Sequence, residues 1–172
     1  MSDTIALTDE PRQLSDCCAS LSKPLIDILV DRLPSQPSMC LSIGCGSGRL
    51  ENYLLEATTK PLDLYGVEVP TCEVSALPEE RVLRVLSTRS VHLAVKDCSA
   101  LLFVYPRVPD LVKSCMDEAL AGGHVSRVIW LGHRSDWPDY ETVLSSLKGI
   151  IELVSGPGIA PYELLVVATV DS

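Results

Sequence analysis

Three glycines alternate in the stretch Met39-Cys-Leu-Ser-Ile-Gly-Cys-Gly-Ser-Gly48, at positions 44, 46 and 48, directly after an apolar run. Glycine lets backbone approach a ligand where a Cβ would clash, and a helix starting at Gly48 would aim its free N–H groups and positive dipole end at that ligand. Glu68, about 20 residues further on, closes a second apolar run, Leu64-Tyr-Gly-Val-Glu68, where a carboxylate can accept from a ribose hydroxyl. A turn alone would need only one glycine. Together these residues point to an adenosine-containing cofactor.

Two other clusters carry groups fit for chemistry. In Phe103-Val-Tyr-Pro-Arg107, Tyr105 is placed to line a substrate pocket and Arg107 to pair with a carboxylate or phosphate. In Gly132-His-Arg-Ser-Asp-Trp137, the imidazole of His133 is the candidate general base, while Asp136 reads as the N-cap of the next helix. Tyr105 and His133 are therefore the candidate catalytic pair. The cysteines at 17, 18, 40, 45, 72, 98 and 115 form no C-x-x-C pair and no ligand rhythm with His92, His124 or His133, so no metal is expected. Most of them read as small core residues.

The dinucleotide fingerprint G-x-G-x-x-G fits this loop poorly, because Arg49 stands where it reserves the third glycine. The segment resembles instead the G-x-G-x-G first motif of class I S-adenosylmethionine (SAM)-dependent methyltransferases. The resemblance covers residues 39 to 68. It implies SAM as cofactor, with Gly44, Gly46 and Gly48 under its methionine part and Glu68 on its ribose. Ser42 stands where that family usually carries an acidic residue for the cofactor's ammonium group, and Cys45 sits in the loop near where the sulfonium would lie. Both join the candidate cofactor residues. Ser87 and Thr88 stand where the family tends to place an Asp for the adenine amino group. The loop at 103–107 resembles only faintly the D/N-P-P-Y/F motif of amino-group methyltransferases.

These groups need a scaffold, and periodicity supplies one. Residues 1–13 read as a flexible polar lead, and 14–172 as one Rossmann-like domain. Helices are expected where Leu25, Ile26, Leu29, Val30 and Leu33 share a face, from Gly48 to Ala57, from Leu111 to Leu120, and after Asp136 up to Gly149. Strands are expected at 39–43, 62–67, 100–105, 127–132, 150–154 and 163–170, with 81–86 the candidate third strand and 89–99 a short helix or irregular. Alternation of strands and helices gives a three-layer α/β domain with a mostly parallel, doubly wound sheet. The last two strands lack an intervening helix, so one must run antiparallel near an edge.

Composition sets the remaining bounds. Of the 172 residues, 47% are hydrophobic and 22% charged, which suits one compact domain. A net charge of -9 repels phosphate backbones, so neither nucleic acid nor an anionic membrane is expected as partner. Asp3, Asp9 and Glu10 do not make a signal peptide and no apolar run reaches membrane-spanning length, which suggests a reduced cytoplasmic or nuclear location. The expected function is a small SAM-dependent methyltransferase acting on a small molecule or a protein side chain. No insertion exceeds a loop, so either a partner subunit or second copy closes the site, or the chain is a catalytically idle relative serving as a binding or scaffolding subunit. A nicotinamide- or nucleotide-dependent enzyme is the third reading.

Overall fold

Consecutive residues of a strand face opposite sides of a sheet, and here both sides are covered. In the computed structural model, which describes residues 4–57 and 59–172, this produces two cores. The strands are β1 (Arg12–Gln13), β2 (Ser20–Leu21), β3 (Met39–Ile43), β4 (Asp63–Glu68), β5 (Val82–Arg84), β6 (Ala100–Val104), β7 (Arg127–His133), β8 (Gly149–Val154) and β9 (Glu163–Val170). The helices are α1 (Lys23–Arg32), α2 (Arg49–Glu56), α3 (Pro109–Gly122) and α4 (Trp137–Ser145). On one side Cys40, Leu64, Leu102, Ile129 and Leu165 pack under Leu25 and Leu29 of α1 and Leu50 and Leu54 of α2. On the other, Leu41, Leu101, Phe103, Trp130 and Val166 pack under Val112 and Met116 of α3 and Tyr140 and Leu144 of α4.

The main sheet has seven strands in the order β5-β4-β3-β6-β7-β9-β8. β3, β4, β5, β6 and β7 pair in parallel, and β9 runs antiparallel to both β7 and β8, one strand in from the edge. The sequence-derived architecture is therefore the observed one, including the reversed strand. Strand order changes direction between β3 and β6, which is where an open α/β sheet leaves a crevice at its carboxyl edge.

Local signals explain most boundaries. The Ser22 hydroxyl accepts from the Leu25 amide and Pro24 sits in the first turn of α1, while Gly123 ends α3 in the left-handed region at φ 79°. The uncertain stretch resolves into a short β5 preceded by a 3-10 turn at Glu79–Arg81, with a second 3-10 turn at Leu93–Asp97. Gly149 lies past the end of α4, as expected, and opens β8 one residue before the strand was expected to start.

The segment read as a flexible lead is largely anchored. Its first three residues lie outside those described, but Leu7 is buried in the first core, the Tyr53 hydroxyl donates to the Ile5 carbonyl, and the Lys23 amide donates to Thr8 O at 2.8 Å. Arg12 and Gln13 then pair antiparallel with Leu21 and Ser20. Polarity of sequence hid this, because the anchoring groups are mostly backbone carbonyls and amides, which carry no sequence signature.

Candidate active site

The glycine loop leaves β3 and turns into α2 with Gly44, Gly46 and Gly48 all at positive φ, 76°, 59° and 81°. Side chains rarely adopt this region, so glycine is favoured here on backbone grounds alone. What surrounds each position separates their roles. A Cβ at Gly44 or Gly46 would meet nothing within 4 Å, and both residues border a cavity of about 350 Å³ over the carboxyl edge of the sheet. A Cβ at Gly48 would lie 2.6 Å from Leu77 Cγ, so that glycine serves packing against residues 74–77 instead of ligand approach.

Glu68, at the end of β4, also borders the cavity. Its Oε2 accepts from the Gly46 amide and its Oε1 from the Val69 amide, each at 2.9 Å. A carboxylate offers about four acceptor lone pairs, so both oxygens keep capacity for further donors. Arg84 steadies the neighbouring loop by donating to Val69 O and Cys72 O, both at 2.7 Å. Ser87, Thr88 and Ser90 line the far end of the cavity.

Two of the candidate cofactor residues turn elsewhere. Ser42, expected near the cofactor's ammonium group, has its side chain buried in the first helical layer, where its hydroxyl donates to Glu51 Oε2 at 3.1 Å. The alternation of β3 forces this, since Ile43 takes the opposite face. Cys45 packs against β4, where a Cβ on Gly66 would lie 2.6 Å from its Sγ, and burial beside Glu51 and Glu68 raises its thiol pKa, which keeps it protonated. Glu51 itself was not picked out from the sequence. It is only 2% exposed, and burial lifts its pKa to about 7.

At the other end of the cavity Tyr105, just after β6, is a non-glycine residue at positive φ, 48°. Its amide donates to Leu131 O at 2.7 Å and its hydroxyl donates to Glu163 Oε2 at 2.5 Å. Glu163 is fully buried and receives the Ser20 amide at 3.3 Å on each oxygen. Burial raises the pKa of both Tyr105 and Glu163, and for Tyr105 the adjacent carboxylate adds to the effect. The sequence offered one signal for Glu163, a lone charge opening the apolar run Leu164-Leu-Val-Val-Ala168.

His133 does not join Tyr105 in the cavity wall. Its ring stacks on Tyr162 with centroids 5.9 Å apart, and its Nδ1 accepts from the Ser135 amide at 3.1 Å. That bond caps the 3-10 turn at Arg134–Asp136. Asp136 holds the N-cap position of α4, as expected, but its side chain makes no capping bond. His133 lies opposite Glu163 in the β7–β9 register, so it reaches the site only through that carboxylate's surroundings. Arg107 borders the cavity and is exposed at its mouth.

A cover also emerges that the sequence did not reveal. Between β1 and β2 the chain crosses the carboxyl edge of the sheet as a strap. Arg49 Nε and Nη2 both reach Asp16 Oδ2, at 3.0 and 2.9 Å, Ser47 Oγ donates to Asp16 O at 2.8 Å, and Cys18 borders the cavity. Ser20 then ties the strap to Glu163. Among the described residues no group of three or more His, Cys, Asp or Glu is arranged to hold a metal ion, and no helix is long and apolar enough to cross a membrane.

The fold coincides with that of known structures. A SAM-dependent O-methyltransferase from Thermotoga maritima aligns over 88% of this chain and 66% of its own, with 16% identity and a TM-score of 0.62. The chain has the class I methyltransferase fold. A precorrin-6y C5,15-methyltransferase from Geobacter metallireducens aligns over 99% of this chain and 96% of its own, with 8% identity and a TM-score of 0.63. The small RNA methyltransferase HEN1 aligns over 94% of this chain but 27% of its own, with 14% identity and a TM-score of 0.59. No protein-family model matches the sequence, and no curated protein matches it. This chain thus spans about two-thirds of the length of the Thermotoga methyltransferase and a smaller part of HEN1.

Proposed function

We propose that the protein is a SAM-dependent methyltransferase acting on a small molecule or a protein side chain. The observation that carries this reading is the open cradle at Gly44 and Gly46, where a Cβ would meet only space, with the Glu68 carboxylate beside it on the wall of the same cavity. When bound, SAM supplies an electrophilic methyl group on a sulfonium, whose transfer is an in-line displacement that depends on positioning and exclusion of water.

The chain's own residues fit those needs. Gly44 and Gly46 leave room for the methionine part, Glu68 accepts from the ribose, and Ser87, Thr88 and Ser90 offer hydroxyls at the adenine end. Tyr105 faces the acceptor, Arg107 can hold an anionic group on it, and the strap through Asp16 and Cys18 sheds water. His133, stacked on Tyr162 outside the cavity wall, takes no direct part in this reading. The net charge of -9 disfavours nucleic acid as the acceptor. The fold does not exclude it, since HEN1 is named a small RNA methyltransferase.

Calorimetric titration with S-adenosylhomocysteine tests the proposal. A charge-assisted bond from ribose to Glu68 contributes about 1.5 to 3 kcal/mol, so Glu68→Ala should weaken binding by about 10- to 150-fold. A parent protein that does not bind the ligand, or a variant that binds it undiminished, would overturn the assignment.

A further inference from the structure

We propose that the protein is a dimer in which β8 pairs antiparallel with β8 of a second copy about a two-fold axis at Ile150, joining the two seven-stranded sheets into one.

β8 ends the main sheet and pairs only with β9. Its other side is open to solvent. Gly149, Ile150, Glu152 and Leu153 are all exposed, Ile150 at 72% and Leu153 at 58%. Free sheet edges are ordinarily blunted by Lys or Pro within the strand, by a bulge or by a covering element. Gly149–Val154 has none of these. Its register with β9 runs unbroken over all six residues, and its one charge, Glu152, is held by Arg32 of α1.

The backbone restricts how another strand can add. The Asp171 amide donates to Lys148 O at 2.8 Å across the β8–β9 ladder. By antiparallel alternation the even-numbered residues of β8 turn their amides and carbonyls to β9, while Gly149, Ile151 and Leu153 turn theirs outward. A second copy must therefore align odd-numbered residues with odd. A pair centred on Glu152 would oppose two carboxylates, and one centred on Ile151 would set Ile150 against Glu152. Centring on Ile150 sets Ile150 against Ile150 and, twice by symmetry, the exposed Lys148 against Glu152. Lys148 then adds a second cation to the Arg32–Glu152 pair. This match of apolar to apolar and cation to carboxylate selects a second copy as the occupant over an unrelated segment.

The assembly stops at two, because β5 at the opposite edge is only three residues long. The cavity lies over β3, β4 and β6, away from β8, and stays open in the dimer.

Sedimentation velocity of the full chain over a concentration series should show a monomer–dimer equilibrium, with Kd in about the micromolar range for so small an interface. Ile150→Lys puts two like charges at the axis and should give a monomer at every concentration, which still melts in one transition because the side chain is exposed. Lys148→Glu should weaken dimerisation by about 3- to 30-fold. Ile150→Cys should cross-link under mild oxidation, since Cα atoms directly opposite in a non-hydrogen-bonded pair lie about 4.5 Å apart, within disulfide reach. Ile151→Cys, opposite Gly149, should cross-link no more than the parent with its seven native cysteines. A parent that is monomeric throughout, a dimer that survives Ile150→Lys, or stronger cross-linking through position 151 than through 150 overturns the inference. None of these readouts depends on the cofactor.

Discussion

Glu51 shows how a single residue can be invisible in sequence and prominent in structure. It occupies the first turn of α2, where acidic residues are ordinary, yet its carboxyl is folded inward onto Ser42. Burial raises its pKa from 4.5 to about 7, with the Ser42 bond opposing and the Glu68 charge reinforcing the shift. A raised folded-state value means that the native protein keeps a proton the unfolded chain has already released. Stability then falls as pH rises from about 4.5 to about 7 and levels off above, a loss on the order of 3 kcal/mol at 1.36 kcal/mol per unit. Glu51→Gln keeps a hydrogen-bonding partner for Ser42 and removes the titration. Urea unfolding at several pH values should show parent and variant similar near pH 4.5 and the variant more stable by pH 8. Parallel curves would mean that Glu51 is not the buried acid responsible. What was legible beforehand is placement, the glycine turn at Gly44 and Gly46 and Glu68 at the end of β4, because local spacing sets it. Ser42 and Cys45 were misjudged because strand alternation and the neighbouring strand, not loop position, decide where their side chains point.

Among the elements, the parallel strands and their helices were legible because each carries its own periodicity or cap, and the two helixless closing strands implied the reversed β9. The strap was not, because its contacts join residues far apart in sequence: Asp16 to Arg49, and Ser20 to Glu163. No short-range pattern encodes such pairs. Closure by a partner or second copy, or an idle site, were the two alternatives legible in sequence; Cys18 of the strap borders the cavity, so the chain itself supplies part of its wall. The Arg49–Asp16 pair is partly exposed, with side chains 15% and 32% accessible, so its contribution is modest, about 0.2 to 1 kcal/mol. Burial pushes the Asp16 pKa up, but the Arg49 guanidinium outweighs it and holds the carboxyl below its ordinary value, so the latch stays closed at neutral pH. Asp16→Ala should raise the dissociation rate of S-adenosylhomocysteine by about 2- to 5-fold and speed proteolytic cutting between β1 and β2. An unchanged rate in stopped-flow displacement would show that the strap does not gate the cavity.

For the molecule as a whole, ligand binding and folding are one linked equilibrium, which allows the cofactor reading to be tested without any substrate. A ligand that binds only the native state stabilises it by about 2.7 kcal/mol at 100 times its Kd. A domain of this size shifts its midpoint by about 2–4 °C per kcal/mol, so saturating S-adenosylhomocysteine should raise Tm by about 5–11 °C. Gly46→Val separates cavity from fold. The branched side chain would project into the space over the loop and would also be strained at φ 59°, so the free variant should melt lower than the parent. Because a Cβ at Gly46 would meet nothing within 4 Å, that variant should still unfold in one transition, and its midpoint should not respond to the ligand. A variant that melts cooperatively and shifts as far as the parent would move the ligand away from the glycine loop. A parent whose midpoint ignores S-adenosylhomocysteine while NAD raises it would transfer the same cradle, Gly44 to Glu68, to a nicotinamide nucleotide.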